Sequence, residues 1–152
     1  MFSLVHINRH TRIRGITHAT LAPWLEQLLA AEGFPGGEVS LTFLESEAMT
    51  ELNERYTGRS GTTDVLAFSQ QEGETKPPDA ALLGDVIVDR TQVESQAKDH
   101  GVDPARELLQ VVAHGFLHLL GYGHNTPREA KRMREAEDRH VERYLGMRRA
   151  QP

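Results

Sequence analysis

The segment at residues 113–124 constrains the fold most, because it joins an apolar helix to a turn and carries three histidines. His114 and His118 are four residues apart, so they lie on one face of the helix and can bind the same ion. Gly121 can leave the helix with a positive φ and turn the chain back, which brings His124 to that ion. Three imidazoles leave the fourth position of a tetrahedral zinc ion for water, and zinc lowers the pKa of such a water to about 7. The segment therefore predicts a metal centre capable of hydrolysis.

The composition favours a site built from imidazoles. The chain has no cysteine, which excludes thiolate zinc sites and leaves His, Asp and Glu as the strong ligands. Two histidines at helical spacing are more often surface or packing residues, but a third histidine after a glycine break favours a metal site. Three imidazoles suit zinc, copper and nickel alike. We expect one zinc ion per chain, held by His114, His118 and His124.

The order of the predicted elements indicates an α+β fold. Alternating apolar residues predict four strands, at Phe2–Asn8, 39–44, Asp64–Ser69 and Leu82–Val88. Helical spacing, capping residues and terminating glycines predict five helices, at 17–32, 46–58, 89–100, 103–121 and 126–146. Residues Gln70–Ala80 predict an exposed loop. We expect one domain over residues 1–152, with a small four-stranded mixed sheet packed against helices and a metal-binding helix that carries H-x-x-x-H.

The charge distribution argues against a protein that simply coats nucleic acid. The formal net charge is −5 and the pI is about 5.9, whereas Lys and Arg recruit the nucleic-acid backbone. A local basic patch is compatible with these values, because several arginines are concentrated in the first half of the chain: Arg9, Arg12, Arg14, Arg55 and Arg59. In the last helix, basic and acidic residues interleave over 129–137, which predicts a solvated face.

Neither a membrane span nor an export signal is visible in the sequence. No stretch approaches the roughly 20 apolar residues that a spanning helix needs. The N-terminal residues lack the long apolar core and the small-residue cleavage site of a signal peptide. We therefore expect a cytoplasmic protein without a membrane partner.

The spacing of the histidines also matches the H-x-x-x-H-x-x-G-x-x-H pattern of the metzincin peptidases. Those enzymes place a glutamate directly after the first histidine, where it serves as general base. This chain has Gly115 at that position, and a glycine can neither accept a proton nor orient a water. Proteolysis of that type is therefore disfavoured.

Residues 114–124 read HGFLHLLGYGH, and this segment resembles the YbeY family of bacterial ribosomal RNA maturation factors, whose pattern is H-G-x-L-H-L-x-G-Y-D-H. A second region agrees with the same family at Leu52, Asn53, Tyr56, Gly58, Thr63, Asp64, Val65, Leu66, Phe68 and 82–85. Together the two regions cover roughly residues 40–145.

The resemblance implies a metal-dependent endoribonuclease directed at single-stranded RNA. Its expected role is maturation of the 3′ end of small-subunit ribosomal RNA, together with ribosome quality control. It also implies zinc on His114, His118 and His124. The implied partners are RNA rather than DNA, the small ribosomal subunit, a ribosomal protein and an assembly GTPase.

The chain departs from the family pattern at two places. Gly123 stands where the family usually has aspartate beside the third histidine. Residues 57–59 read TGR, where the family commonly has Arg-Gly-Lys. The first departure removes a carboxylate beside a metal ligand, and with the second the functional arginine has either moved or been lost.

Our mechanistic hypothesis pairs the metal with a guanidinium that stabilises charge on the phosphate. Arg59 is the expected catalytic residue and Arg55 the expected substrate-binding residue, although both are equally compatible with an exposed charge at a helix end or loop. Asp64 and Asp85 stand at strand starts and can approach the metal, yet such residues more often cap turns. The proton acceptor stays unassigned.

Two other functions are compatible with the sequence. One is a non-catalytic ribosome-assembly module in which zinc only stabilises the fold, which suits the negative net charge. The other is a metallohydrolase that acts on small esters or amides. Cleavage of RNA by the metal-loaded protein distinguishes the endoribonuclease from both.

Overall fold

The computed structural model describes residues 4–8, 13–57, 64–69 and 82–149. The helices and strands follow in the order β1 (Leu4–Asn8), α1 (His18–Ala31), β2 (Glu38–Leu44), α2 (Ser46–Thr57), β3 (Val65–Ser69), β4 (Leu82–Asp89), α3 (Arg90–His100), α4 (Pro104–Leu119) and α5 (Pro127–Arg149).

The strands form a four-stranded sheet in the order β1-β2-β4-β3. β1 pairs with β2 and β2 with β4 in parallel, whereas β3 pairs with β4 antiparallel. The parallel pairs require crossovers, and α1 lies in the first of them. The sheet is therefore mixed, and the predicted α+β fold with a four-stranded mixed sheet is confirmed.

The core lies where the inner face of β2 meets the helices. Val39, Leu41 and Phe43 alternate with half-buried residues along this strand and are fully buried, as period-two alternation predicts. Trp24 of α1 is also fully buried, and its indole N–H donates a hydrogen bond to the carbonyl of His140 in α5 at 2.8 Å. The last helix is thereby tied to the first.

The predicted helix starts are confirmed by their caps. Thr17 forms a capping box with Thr20 at the start of α1. The Asp89 side chain accepts a hydrogen bond from the amide of Gln92 at 2.9 Å, and Asp103 caps α4. These caps satisfy amide groups that have no partner inside a helix.

The last helix differs from its prediction at the C-terminal end. It continues to Arg149, so the predicted end at Gly146 is wrong. A glycine ends a helix when its backbone turns left-handed, and Gly146 is not among the glycines with positive φ. None of the described helices, α5 included, has both the length and the apolar character that crossing a membrane requires. The predicted loop at Gln70–Ala80 and the start of the first strand at Phe2 lie outside the described residues.

Candidate metal centre

The helix α4 carries two of the three histidines and packs closely against β3 and β4. A glycine permits this approach, because a Cβ atom on Gly115 would lie 2.8 Å from Cγ1 of Val86 and 2.9 Å from Cγ2 of Val65. No room is therefore left for a glutamate side chain directly after His114. Packing against the sheet thus gives a physical reason for the absence of a peptidase-type general base.

The chain reverses direction at the end of α4, as the sequence predicts. Gly121 adopts a φ of 107°. The amide of Gly121 donates to the carbonyl of His118 at 3.1 Å, and the amide of Tyr122 donates to the carbonyl of Leu117 at 3.0 Å. This pair of hydrogen bonds is the Schellman arrangement that ends a helix with a left-handed residue. It turns His124 back toward the histidines of the helix.

The three predicted histidines line one cavity of about 260 Å³. The remaining lining comes from Gly115 and from residues 65–67 of β3. The ring centroids of His114 and His124 are 5.7 Å apart, and those of His118 and His124 are 6.3 Å apart. The structure therefore brings together residues that the sequence places up to ten positions apart.

The donor chemistry of this cavity fits zinc, although the rings are spaced slightly too widely. Three imidazoles at 2.0–2.1 Å from one tetrahedral zinc have ring centroids about 5 Å apart. Among the residues that the structure describes, no group of three His, Cys, Asp or Glu side chains already meets the geometry of a metal site. The rings would have to approach one another by roughly 1 Å to share an ion.

A carboxylate on α5 holds the first histidine. Nδ1 of His114 donates a hydrogen bond to Oε2 of Glu137 at 2.7 Å, and Nε2 of Gln110 donates to Oε1 of Glu137 at 2.7 Å. The hydrogen bond to Glu137 raises the pKa of His114 against the opposing effect of burial, and the charge of Asp64 adds to the increase. With its proton on Nδ1, the ring keeps the lone pair of Nε2 for a ligand.

Glu137 was missed by sequence reasoning, which placed it on a solvated face of the last helix. The residue is only 8% exposed, so that prediction is wrong for this position. A sequence signal existed, because Glu137 follows the buried Ala136 and stands four residues before the buried Val141. Helical spacing therefore places Glu137 beside the apolar face.

The two candidate aspartates have different surroundings. Asp64 directly precedes β3, and its charge acts on His114. Asp85 is the neighbour of Val86 in β4, and Val86 faces Gly115 of α4. Since side chains alternate along a strand, Asp85 points to the opposite face of the sheet.

The predicted arginines are not brought to the cavity by the described part of the chain. Arg59 lies outside the described residues, so its catalytic role stays a prediction. Arg55 is exposed in the last turn of α2 and does not line the cavity.

The carboxylate of Glu129 lies next to Gly123, the position where the family usually has aspartate. A Cβ atom on Gly123 would lie 3.0 Å from Oε2 of Glu129, a residue in the first turn of α5. The amide of Glu129 also donates to Oγ1 of Thr126 at 3.1 Å, which caps the start of α5. The start of α5 thus supplies an acidic group beside the segment that carries His124.

Comparison with known proteins decides the family. The family model described as endoribonuclease YbeY matches residues 6–145. The chain belongs to the YbeY endoribonuclease family. Proteins named endoribonuclease YbeY from Moorella thermoacetica and Desulforamulus reducens are 41% and 39% identical to it. The first alignment covers 86% of this chain and 88% of the relative, and the second covers 80% and 81%.

A solved structure shows the same architecture. The solution structure of a Thermotoga maritima protein superimposes with a TM-score of 0.66 at 28% sequence identity. The match covers 98% of this chain and 94% of the other. The resemblance to the YbeY family is confirmed by the match of the family model over residues 6–145.

Proposed function

We propose that this protein is a zinc-dependent endoribonuclease that cleaves single-stranded regions of ribosomal RNA. We further propose that it matures the 3′ end of small-subunit ribosomal RNA and acts in ribosome quality control. Membership of the YbeY endoribonuclease family supports cleavage of RNA. The observation that carries the proposal is a cavity shared by His114, His118 and His124, with Nδ1 of His114 bound to Glu137.

The proposed ligands of one zinc ion per chain are His114, His118 and His124. When bound, zinc supplies a Lewis acid that polarises a phosphate oxygen or lowers the pKa of a water. Glu137 fixes the tautomer and orientation of His114, so that Nε2 rather than Nδ1 is the donor atom. The lining by residues 65–67 leaves one side of the cavity apolar, which limits the number of waters at the reacting phosphate.

The charge of the reacting phosphate requires a cation in addition to the metal. We propose that Arg59 stabilises the negative charge that develops on the phosphate oxygens, and that Arg55 binds the RNA backbone nearby. The exposed position of Arg55 at the end of α2 is compatible with backbone binding. A net charge of −5 makes such local cations necessary for RNA recruitment.

The proposed partners follow from the same activity. They are RNA, the small ribosomal subunit, a ribosomal protein and an assembly GTPase, and the proposed location is the cytoplasm. DNA and membranes are not among the proposed partners.

The test combines metal analysis with cleavage of a single-stranded RNA, with and without chelator. We expect the zinc-loaded protein to cut the RNA and the chelated protein to leave it intact. His118→Ala should abolish cleavage without unfolding the protein, because His118 is exposed at the end of α4. His100→Ala is the matched control, because His100 is also an exposed helical histidine and pairs with Glu107 instead of lining the cavity.

Three results would contradict the proposal. Intact RNA after incubation with fully metal-loaded protein would favour the assembly module. Unfolding caused by His114→Ala would favour a structural zinc. Hydrolysis of a chromogenic ester together with intact RNA would favour a small-molecule metallohydrolase.

A further inference from the structure

The carboxylate of Glu32, whose side chain is 10% exposed, joins three parts of the chain that are distant in sequence. Oε1 of Glu32, at the end of α1, accepts a hydrogen bond from the Tyr122 hydroxyl at 2.7 Å. Oε2 accepts a hydrogen bond from Nε2 of His140 in α5 at 2.8 Å and lies 3.6 Å from Nη2 of Arg139. Tyr122 and His140 are 90 and 108 residues from Glu32. Both oxygens of the carboxylate are therefore engaged.

The charge states of this cluster make the hydrogen bonds to Glu32 strong. Burial would raise the pKa of Glu32, but hydrogen bonds from Tyr122 and His140 outweigh burial, and the pKa is lowered. Burial lowers the pKa of His140, so the ring is neutral and Nε2 carries the proton that it donates. An ionised acceptor roughly doubles the strength of a hydrogen bond relative to a neutral pair.

Tyr122 belongs to the short segment between α4 and the third histidine. It stands between Gly121 and Gly123, which have no side chain to hold the segment in place. The ring of Tyr122 packs against the hydrophobic core, and the guanidinium of Arg132 lies 5.1 Å from the ring centroid. Its hydroxyl hydrogen bond to Glu32 is therefore a side-chain anchor of a segment that ends at His124.

We propose that Glu32 is a positioning residue for His124 and acts through the hydroxyl of Tyr122. The left-handed turn at Gly121 directs the segment back toward α4. The hydrogen bond from the Tyr122 hydroxyl to Glu32 then fixes the position of this segment. Glu32 touches neither the metal ligands nor the cavity. It raises metal affinity by holding the third imidazole near the other two before the ion binds, since an ordered site loses less conformational entropy on binding. This proposal rests on the proposed zinc site.

The experiment measures zinc affinity by chelator competition for the full-length protein and three variants. Tyr122→Phe removes only the hydroxyl. Glu32→Gln keeps the size of the side chain but offers the two donors, Tyr122 and His140, a single acceptor oxygen. Tyr144→Phe is the matched control, because its buried hydroxyl also crosses between helices and donates to Oγ1 of Thr20 at 2.8 Å. Its hydroxyl binds at the start of α1 rather than at the segment before His124.

We expect Tyr122→Phe and Glu32→Gln to weaken zinc binding about tenfold, the lower end of the loss seen when the support of a metal ligand is removed. Tyr144→Phe should bind zinc within about twofold of the unaltered protein, even though it lowers stability like other losses of a buried hydrogen bond. The double variant of Glu32 and Tyr122 should bind no more weakly than Glu32→Gln, because both changes break one interaction. Hydrogen exchange at residues 121–124 of the metal-free protein should become faster in Tyr122→Phe and not in Tyr144→Phe.

The possible failures are distinguishable. If Tyr122→Phe binds zinc as tightly as Tyr144→Phe, and exchange at 121–124 is unchanged, the positioning role is wrong while the zinc site stands. If the unaltered protein binds no zinc, the proposed metal site fails and the positioning role fails with it.

Discussion

Two histidine–carboxylate pairs in this protein have nearly the same geometry and opposite surroundings. His114 donates to Glu137 at 2.7 Å, and His140 donates to Glu32 at 2.8 Å. The side chain of His114 is 37% exposed and that of His140 only 1%. The hydrogen bond to the carboxylate raises the pKa of His114, whereas burial lowers the pKa of His140. Neighbouring charges add to this contrast, because Asp64 raises the pKa of His114 whereas Arg143 and Arg139 lower the pKa of His140.

This difference distinguishes His114, a candidate metal ligand, from His140, a histidine that supports the fold. His114 uses Nδ1 for its carboxylate and lines the cavity, so Nε2 is free to bind an ion. His140 uses Nε2, and its Nδ1 is buried without a hydrogen-bond partner among the described residues. The same pair of functional groups thus prepares a metal ligand at one place and joins α1 to α5 at another.

Alanine substitution at the two histidines should separate the pairs most clearly. His114→Ala should weaken zinc binding more than about a hundredfold, because losing only the support of a ligand already costs about 10- to 100-fold. His140→Ala should instead lower the free energy of unfolding by about 3 kcal/mol, because it leaves a cavity and removes a donor from the half-buried carboxylate of Glu32. Chelator competition and urea unfolding of the metal-free protein measure the two effects. If both variants lowered the free energy of unfolding equally, the distinction between a metal ligand and a structural support would be wrong.

The carboxylate of Glu137 can be tested by a change that keeps its volume. Glu137→Gln should weaken zinc binding about 10- to 100-fold, since an amide no longer fixes the tautomer of His114. Gln110→Ala, which removes the other donor to Glu137, should have a smaller effect on zinc affinity. An unchanged affinity in Glu137→Gln would mean that the carboxylate does not orient the ligand.

The exposure of His114 to the cavity depends on the close packing of α4 against the sheet. Gly115→Ala should lower the free energy of unfolding by about 1–3 kcal/mol, because the new methyl group meets Val86 and Val65. Gly146→Ala is the control, because nothing lies within 4 Å of its added Cβ. That change should raise the free energy of unfolding by up to about 1 kcal/mol, as expected for a helix interior. Thermal or urea unfolding measures both, and equal effects would contradict the packing argument.

The smallest expected effect is the pH dependence of the stability that the pair of Glu32 and His140 provides. The pKa of Glu32 is lowered from its ordinary value of 4.5, against the effect of burial, by hydrogen bonds from Tyr122 and His140 and by the charge of Arg139. The stability that the Glu32 carboxylate contributes is therefore fully present above pH 4.5, and it is lost as the pH falls through the lower pKa of the folded protein. Glu32→Gln has no carboxylate to titrate.

The difference in unfolding free energy between the unaltered protein and Glu32→Gln should consequently be larger at about pH 6 than at about pH 3.5. Urea unfolding at the two pH values measures this difference. A difference that grows as the pH falls would show that the pKa of Glu32 is raised.

The local features of the fold could be predicted from the sequence. Thr17, Asp89 and Asp103 cap helices at the predicted starts, and Gly121 turns the chain with a positive φ. These features depend on a few neighbouring residues, so the sequence pattern suffices. The three histidines belong to the same class, because one helix and one turn place them around the cavity.

The carboxylates that hold the two histidines could not be predicted in the same way. Glu137 is 23 residues from His114, and Glu32 is 108 residues from His140. Each pairing depends on how α5 is rotated about its axis when it packs against its neighbours. The spacing of Ala136 and Val141 indicates which side of α5 is buried, but it does not indicate which residue of another helix each side chain meets. Gly146 led to the prediction of a helix end that the structure does not have. The role of Arg59 stays a prediction, as its position lies outside the described residues.

The most direct test of the metal centre is a titration of metal-free protein with Co²⁺, followed by visible absorption, in the unaltered protein and in His124→Ala. We predict saturation at one ion per chain, with the intense bands of tetrahedral coordination, and loss of these bands in His124→Ala. An identical titration in both proteins, or no binding in either, would contradict a centre formed by His114, His118 and His124.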